Sequence, residues 1–171
     1  MNDPQNLIYL MERYLAFMRV RNYSERTVEA HTKMLRRFRL FCEELGVTHA
    51  RQVTRAVVLN YQTFLYHHRK KDGHAMTVAT QKHWLGAVKS LFSYLTKEGQ
   101  ILYNPASDLE LPRNEYRLPK TVLSHSEVEA VLNVPDLSTP LGIKDRAMME
   151  VFYSTGMRRE ELCNLDKGDV D

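Results

Sequence analysis

The sequence predicts an all-α chain, built as a compact four-helix unit, a proline-rich junction and a shorter second set of helices. Three observations carry this. Apolar residues recur at three- and four-residue spacing in four separate stretches. Serine, threonine or glycine stands at the ends of most of them. The only stretch crowded with prolines, residues 104–119, falls after the fourth.

Leu7, Leu10, Met11, Tyr14, Leu15 and Met18 form one face of a first helix running from Asn6 to about Val20. Ser24 caps a longer second helix whose inner stripe is Val28, Leu35, Phe38, Phe41, Cys42 and Leu45, with Gly46 as its breaker. Thr54 opens a third, with Val57, Val58, Tyr61, Phe64 and Leu65 inward. It runs into the exposed polar loop His67–Gly73, where Arg69-Lys70-Lys71 reads as a solubilising turn. Thr77 or Thr80 begins a fourth, with Trp84, Leu85, Val88, Leu91, Phe92 and Leu95 inward and Gly99 as the stop. Four such stripes must bury one another, which makes residues 1–103 a domain.

Residues 104–119 read NPASDLELPRNEYRLP and lack periodicity, as an extended linker does. Ser124-His125-Ser126-Glu127 then has the Ser-x-x-Glu form of a capping box and opens a short helix through Val128, Val131 and Leu132. A further helix leads in from Pro140, with Ala147, Met148, Val151 and Phe152 on one side between Asp145 and Thr155. Residues 166–171 look like a turn entering a strand. The second unit, 120–171, is shorter than the ~70 residues that usually support a core, so it is expected to be the truncated start of a larger domain.

Hydrophobic residues make up 43% and charged residues 26%, which excludes disordered and fibrous classes. No run approaches the ~18 apolar residues of a membrane span, and the N-terminus lacks a signal-peptide pattern, so a cytoplasmic protein is expected. Cys42 and Cys163 have neither Cys-x-x-Cys nor His-rich partners, so neither a disulfide framework nor a zinc site is expected. The net charge of +3 is unevenly spread. Residues 1–117 hold 18 Lys and Arg against 11 Asp and Glu, whereas the remainder is acidic. Polyanion binding therefore belongs to the first part.

Near the end stands Tyr153-Ser154-Thr155-Gly156-Met157-Arg158-Arg159-Glu160-Glu161-Leu162. Gly156 permits a sharp turn after one helix, and Arg158 falls at or near the first turn of the next, where phosphate chemistry could use its guanidinium. Arg159 points elsewhere, about 100° round the helix. The run resembles the first active-site box of the tyrosine recombinases, the phage-integrase and Xer-like enzymes. Asn104-Pro105-Ala106 through Leu111-Pro112 to Leu118-Pro119-Lys120 is similar to that family's interdomain junction. Pro140–Ala147, with Lys144-Asp145-Arg146-Ala147, is similar to the run that opens the helix before the box.

The resemblance implies a four-helix, SAM-like core-binding domain followed by the initial helices of a mixed α+β catalytic domain. It implies a site-specific recombinase that cleaves and rejoins DNA through a 3′-phosphotyrosyl link without a cofactor. Arg158 would be the catalytic arginine and Glu161 its support. Helices two and four would face double-stranded DNA, with Arg26, Lys33, Arg36 and Arg37 on one and Gln81, Lys82 and Lys89 on the other. Gln81 is the candidate for reading an adenine edge. The family's lysine, His-x-x-Arg box and nucleophilic tyrosine have no counterpart here. Tyr14, Tyr61 and Tyr94 lie on core faces, Tyr153 precedes Arg158, and Trp84 reads as core. The chain is thus expected to bind DNA, to be inactive alone and to be a monomer in solution that could join recombinase protomers on DNA. The alternatives are a truncated, non-catalytic DNA-binding module that occupies recombination sites and a helical protein-interaction domain.

Overall fold

The computed structural model describes residues 3, 5–113, 122–166, 168 and 169, which form two units divided between residues 116 and 117. Every regular element among them is helical.

In the first unit α1 spans Leu7–Val20, and Asn6 caps it by accepting from the Ile8 N–H. Ser24 caps α2, Glu25–Glu44; Thr54 caps α3, Arg55–His67; Thr77 caps α4, Val78–Lys97. Each hydroxyl takes one N–H that the first helical turn leaves without a partner. Gly46 and Gly99 follow α2 and α4 at positive φ, where only glycine fits without strain. A short 3-10 helix, Ala50–Gln52, was not legible from periodicity. Beside it, the Leu7 N–H donates to the Thr48 carbonyl, fastening the start of α1 to the α2–α3 connection.

α2 and α4 lie against each other, α1 packs on both, and α3 closes the remaining side. Phe38 and Phe92 meet edge to face at 5.9 Å between centroids, and Phe38 meets Tyr61 the same way at 5.0 Å. Burial of each such ring is worth ~1.5–3 kcal/mol. The predicted inner stripes are inner, with five departures, of which Val57 and Phe64 on α3 are half-buried. Leu45 is half exposed because the chain leaves α2 there, and Leu15 and Trp84 are half-buried at the core edge.

The stretch from Asn104 to Glu110, read from its prolines as the start of an extended linker, is fastened to the first unit. Ala106 and Leu109 are buried in its core. Lys89 Nζ donates to the Leu109 carbonyl at 2.9 Å, and Gln62 Nε2 donates to that of Glu110 at 3.0 Å. A segment without its own ladder finds backbone partners in side chains of α3 and α4. Leu118-Pro119-Lys120 lies outside the described residues.

The second unit contains α5, His125–Leu132; α6, Pro140–Thr155; and α7, Arg159–Cys163. The capping box is formed, with the Ser124 N–H donating to Glu127 at 2.7 Å. Arg146 ties α5 to α6: Nη1 donates to the Leu132 carbonyl and to Asn133 Oδ1, while Nε meets Glu150. The guanidinium thereby takes a carbonyl that the end of α5 leaves open. Gly142 sits against the backbone of Asp136, where a Cβ would collide with the carbonyl.

The inward stripe expected on α6 is only partly covered. Met148, Val151 and Phe152 are half-buried and Ala147 is exposed, because three short helices do not enclose a full core. The Asp169 N–H donates to the Asp166 carbonyl, as in a turn. The strand expected after it falls on Val170 and Asp171, outside the described residues.

Candidate nucleic-acid interface and arginine turn

A groove of about 470 Å³ runs between α2 and α4. Arg26 stands on one bank and Lys82 on the other, with Thr27, His31, His83 and Ser90 between them. Seven residues further along α2, Lys33 repeats the direction of Arg26, and Arg36 is exposed beside it. His31 accepts from or donates to the Tyr14 hydroxyl at 3.2 Å, and burial pushes its pKa down. Arg26 and Lys82 are the Arg and Lys side chains that line the groove among the described residues.

Three residues expected on this face are engaged elsewhere. Gln81 is 6% exposed, and its Nε2 donates to the Met76 carbonyl at 2.9 Å. It cannot read a base edge, because the chain entering α4 folds back over it. Arg37 is half-buried, with its guanidinium carbon 5.5 Å from the ring centroids of both Phe64 and Trp84. Its Nη2 reaches the His68 ring at 2.8 Å. Lys89 holds the Leu109 and Ser107 carbonyls, as described above for the former. Periodicity placed all three off the apolar stripe, but loops returning over the helices claim them. The structure thus brings Arg26, Lys33, Arg36 and Lys82 to the outer faces and withdraws Arg37, Gln81 and Lys89.

In the second unit Gly156 ends α6 in the left-handed conformation at φ 65°, with its N–H donating to the Phe152 carbonyl. Arg158 is the residue that caps α7, in extended conformation. Its backbone N–H donates to Glu161 Oε2 at 2.7 Å and its Nη1 to Glu161 Oε1 at 2.8 Å. The Arg158 side chain is 86% exposed, so the ion pair orients it without enclosing it. Two hydrogen bonds from Arg158, the backbone one foremost, hold the Glu161 carboxyl below its usual pKa. Glu161 engages Nη1, and a planar guanidinium is the donor that can meet two phosphate oxygens at once.

The tyrosines divide clearly. Tyr14, Tyr61 and Tyr94 are buried, and desolvation raises the Tyr14 phenol to about 12 and pushes Tyr61 up as well. Such phenols are poor nucleophiles. Tyr153 is exposed and shares a hydrogen bond with His125 Nδ1 at 3.2 Å. Burial also raises the Cys42 thiol to about 12. Among the described residues no cluster of His, Cys, Asp and Glu could hold a metal ion, and no helix is long and apolar enough to cross a membrane.

Residues 10–101 match the family model for the phage integrase N-terminal SAM-like domain, and residues 121–171 match that of the phage integrase family. A tyrosine recombinase XerC 2 of Ralstonia nicotianae is 45% identical over 161 residues, covering 94% of this chain and 46% of that protein. The tyrosine recombinase XerD of Listeria monocytogenes serotype 4b is 34% identical, over 94% of this chain and 52% of the relative. The tyrosine recombinase XerC of Bacillus subtilis is 30% identical over the whole chain and 53% of its own length. The chain spans about half the length of the curated relatives it matches.

Proposed function

The chain belongs to the phage integrase family of tyrosine recombinases, and on that premise we propose that it is the DNA-binding portion of a site-specific recombinase, gripping duplex DNA through the α2–α4 face. The observation that carries this is the groove with Arg26 and Lys82 on opposite banks and Lys33 and Arg36 continuing along α2. Cations on two helices meet the phosphates of a duplex, which gives affinity and register rather than sequence choice. In this reading residues 1–103 are the core-binding domain, 104–119 the junction and 120–171 the start of the catalytic domain.

Arg158 is the proposed catalytic residue of that second domain. Strand cleavage places negative charge on the non-bridging oxygens of the scissile phosphate as a tyrosine attacks it. A preorganised, bidentate guanidinium stabilises that charge, and losing one such donor costs ~2.7–4 kcal/mol. Glu161 fixes the direction from which it reaches the phosphate. No tyrosine among the described residues follows Arg158 in the chain. In this reading residues 1–171 bind DNA as a monomer in the cytoplasm and do not by themselves complete strand transfer.

Binding of the chain to duplex DNA, followed by fluorescence anisotropy over a range of salt concentrations, tests the proposal. With about four phosphate contacts, log K should fall with log salt at a slope of roughly −3 to −4. Charge reversal at Arg26, Lys33 and Arg36 should abolish binding. Absence of affinity at low salt, or indifference to the reversals, would overturn it.

A further inference from the structure

The α2–α4 groove does not end at Ser90. His31 and Ser90 also line a larger cavity, of about 650 Å³, that opens between α1 and α4. This is within the usual size range of a small-ligand pocket. Its wall is aromatic: Phe17 and Tyr94 lie 4.7 Å apart between centroids, Tyr14 packs on Tyr94 at 5.4 Å, and the half-exposed Tyr23 also lines it. Arg21 and Lys97 are exposed at its rim, and among the described residues Glu98 is the only acidic one that lines it. Ser90, Ser93 and His31 supply hydroxyl and imidazole groups within.

Arg21 and Lys97 stand at the C-terminal ends of α1 and α4, where positive charge complements the helix dipoles. That accounts for the two charges taken singly. It does not account for the aromatic wall beside them, for Arg21 lying 5.8 Å above the Phe17 ring, or for continuity with the groove. Aromatic faces, hydrogen-bonding groups and a pair of phosphate-binding cations are together what an unstacked nucleotide requires. A cation is disfavoured by the rim, and a bare phosphate leaves the aromatic wall unused.

We propose that this cavity receives one unpaired nucleotide of the bound DNA, with its base against Phe17, Tyr23 and Tyr94 and its phosphate between Arg21 and Lys97. The inference rests on the DNA-binding reading above. Drawing a paired base out of a duplex costs a few kcal/mol, so the cavity selects a nucleotide that is already extrahelical. The DNA preferred by this chain is then one with a bulge or frayed junction beside the duplex held by α2 and α4.

Two duplexes that differ only by one unpaired adenine nucleotide provide the test, alongside a titration with dAMP followed by amide chemical shifts. The bulged duplex should bind about ten-fold more tightly, as stacking of a single base allows. Ser93→Phe, which fills the cavity with no change of charge, should remove that preference and leave the paired duplex unaffected. Arg21→Ala with Lys97→Ala, both at exposed positions, should weaken dAMP binding. Equal affinity for both duplexes overturns the cavity inference and leaves the DNA-binding face standing. Failure of both duplexes to bind overturns the DNA-binding reading and, with it, the assignment to bound DNA. Saturable binding of an Asp/Glu-rich peptide in place of dAMP assigns the cavity to a protein partner and likewise overturns it.

Discussion

Glu161 accepts twice from Arg158, once from the backbone N–H at 2.7 Å and once from Nη1 at 2.8 Å. A carboxylate at the third position of α7 thus satisfies a donor that the helix start would leave open, and the same carboxylate aims the side chain of that residue. Backbone direction and guanidinium direction become one property. A neighbouring Arg159 has no such tie, although it is chemically identical and adjacent in sequence.

The carboxyl of Glu161 should titrate below the usual glutamate value of about 4.3. Its folded pKa is depressed, so its contribution to holding the turn is present above that value and lost as the pH falls through the folded pKa. A carboxyl-carbon NMR titration reads the midpoint directly. Arg158→Ala should move it part of the way up, because the backbone bond remains. A midpoint at or above the ordinary value would contradict the clamp.

Gly142→Ala should destabilise the second unit by roughly 1–3 kcal/mol, the usual range for an overpacked site. The sign is diagnostic. Helix propensity alone favours alanine over glycine by ~1 kcal/mol, whereas here the new Cβ would meet the Asp136 carbonyl. Thermal unfolding monitored by amide signals of α5 and α6 measures the outcome.

The helices were legible because each carries two independent signals, an apolar stripe and a capping side chain. Ser24, Thr54, Thr77 and Ser124 all cap where the sequence placed them or offered them as a choice. The availability of the outward cations was not legible. Helical spacing says which way Arg37, Gln81 and Lys89 leave their helices, but not that His68, Met76 and Leu109 return to meet them. Those partners sit in aperiodic segments whose paths are set by tertiary packing. The arginine turn was readable for the opposite reason, since Gly156, Arg158 and Glu161 are all local to one another.

Lys33 and Lys89 should separate cleanly when each is changed to methionine, which keeps the stem and removes the ammonium. Lys33→Met should weaken DNA binding and reduce the salt slope by about 0.9, with the melting temperature unchanged. Lys89→Met leaves the partly buried Leu109 carbonyl without its donor, at a cost of about 1 kcal/mol. Amide exchange across residues 106–110 should quicken, while the salt slope stays as it was. A DNA defect in Lys89→Met equal to that in Lys33→Met would show that the ammonium reaches phosphate instead.

His68 should make the first unit sensitive to mild acid. Desolvation first, then the charges of Arg37 and Arg69, depress its pKa from the usual value of about 6.5. The unfolded chain therefore binds a proton that the folded one resists, and stability rises with pH across the window between the folded value and about 6.5. Below that window the ring is protonated in both states and the contribution is gone. His31, depressed by burial, adds a slope of the same sign. Denaturant unfolding across this range should show the loss, and His68→Gln should flatten part of it and leave the His31 portion. Arg37→Gln keeps the histidine and removes the nearest charge, so the His68 midpoint seen by NMR should rise toward its ordinary value. If it does not move, the guanidinium between Phe64 and Trp84 is not what faces the ring.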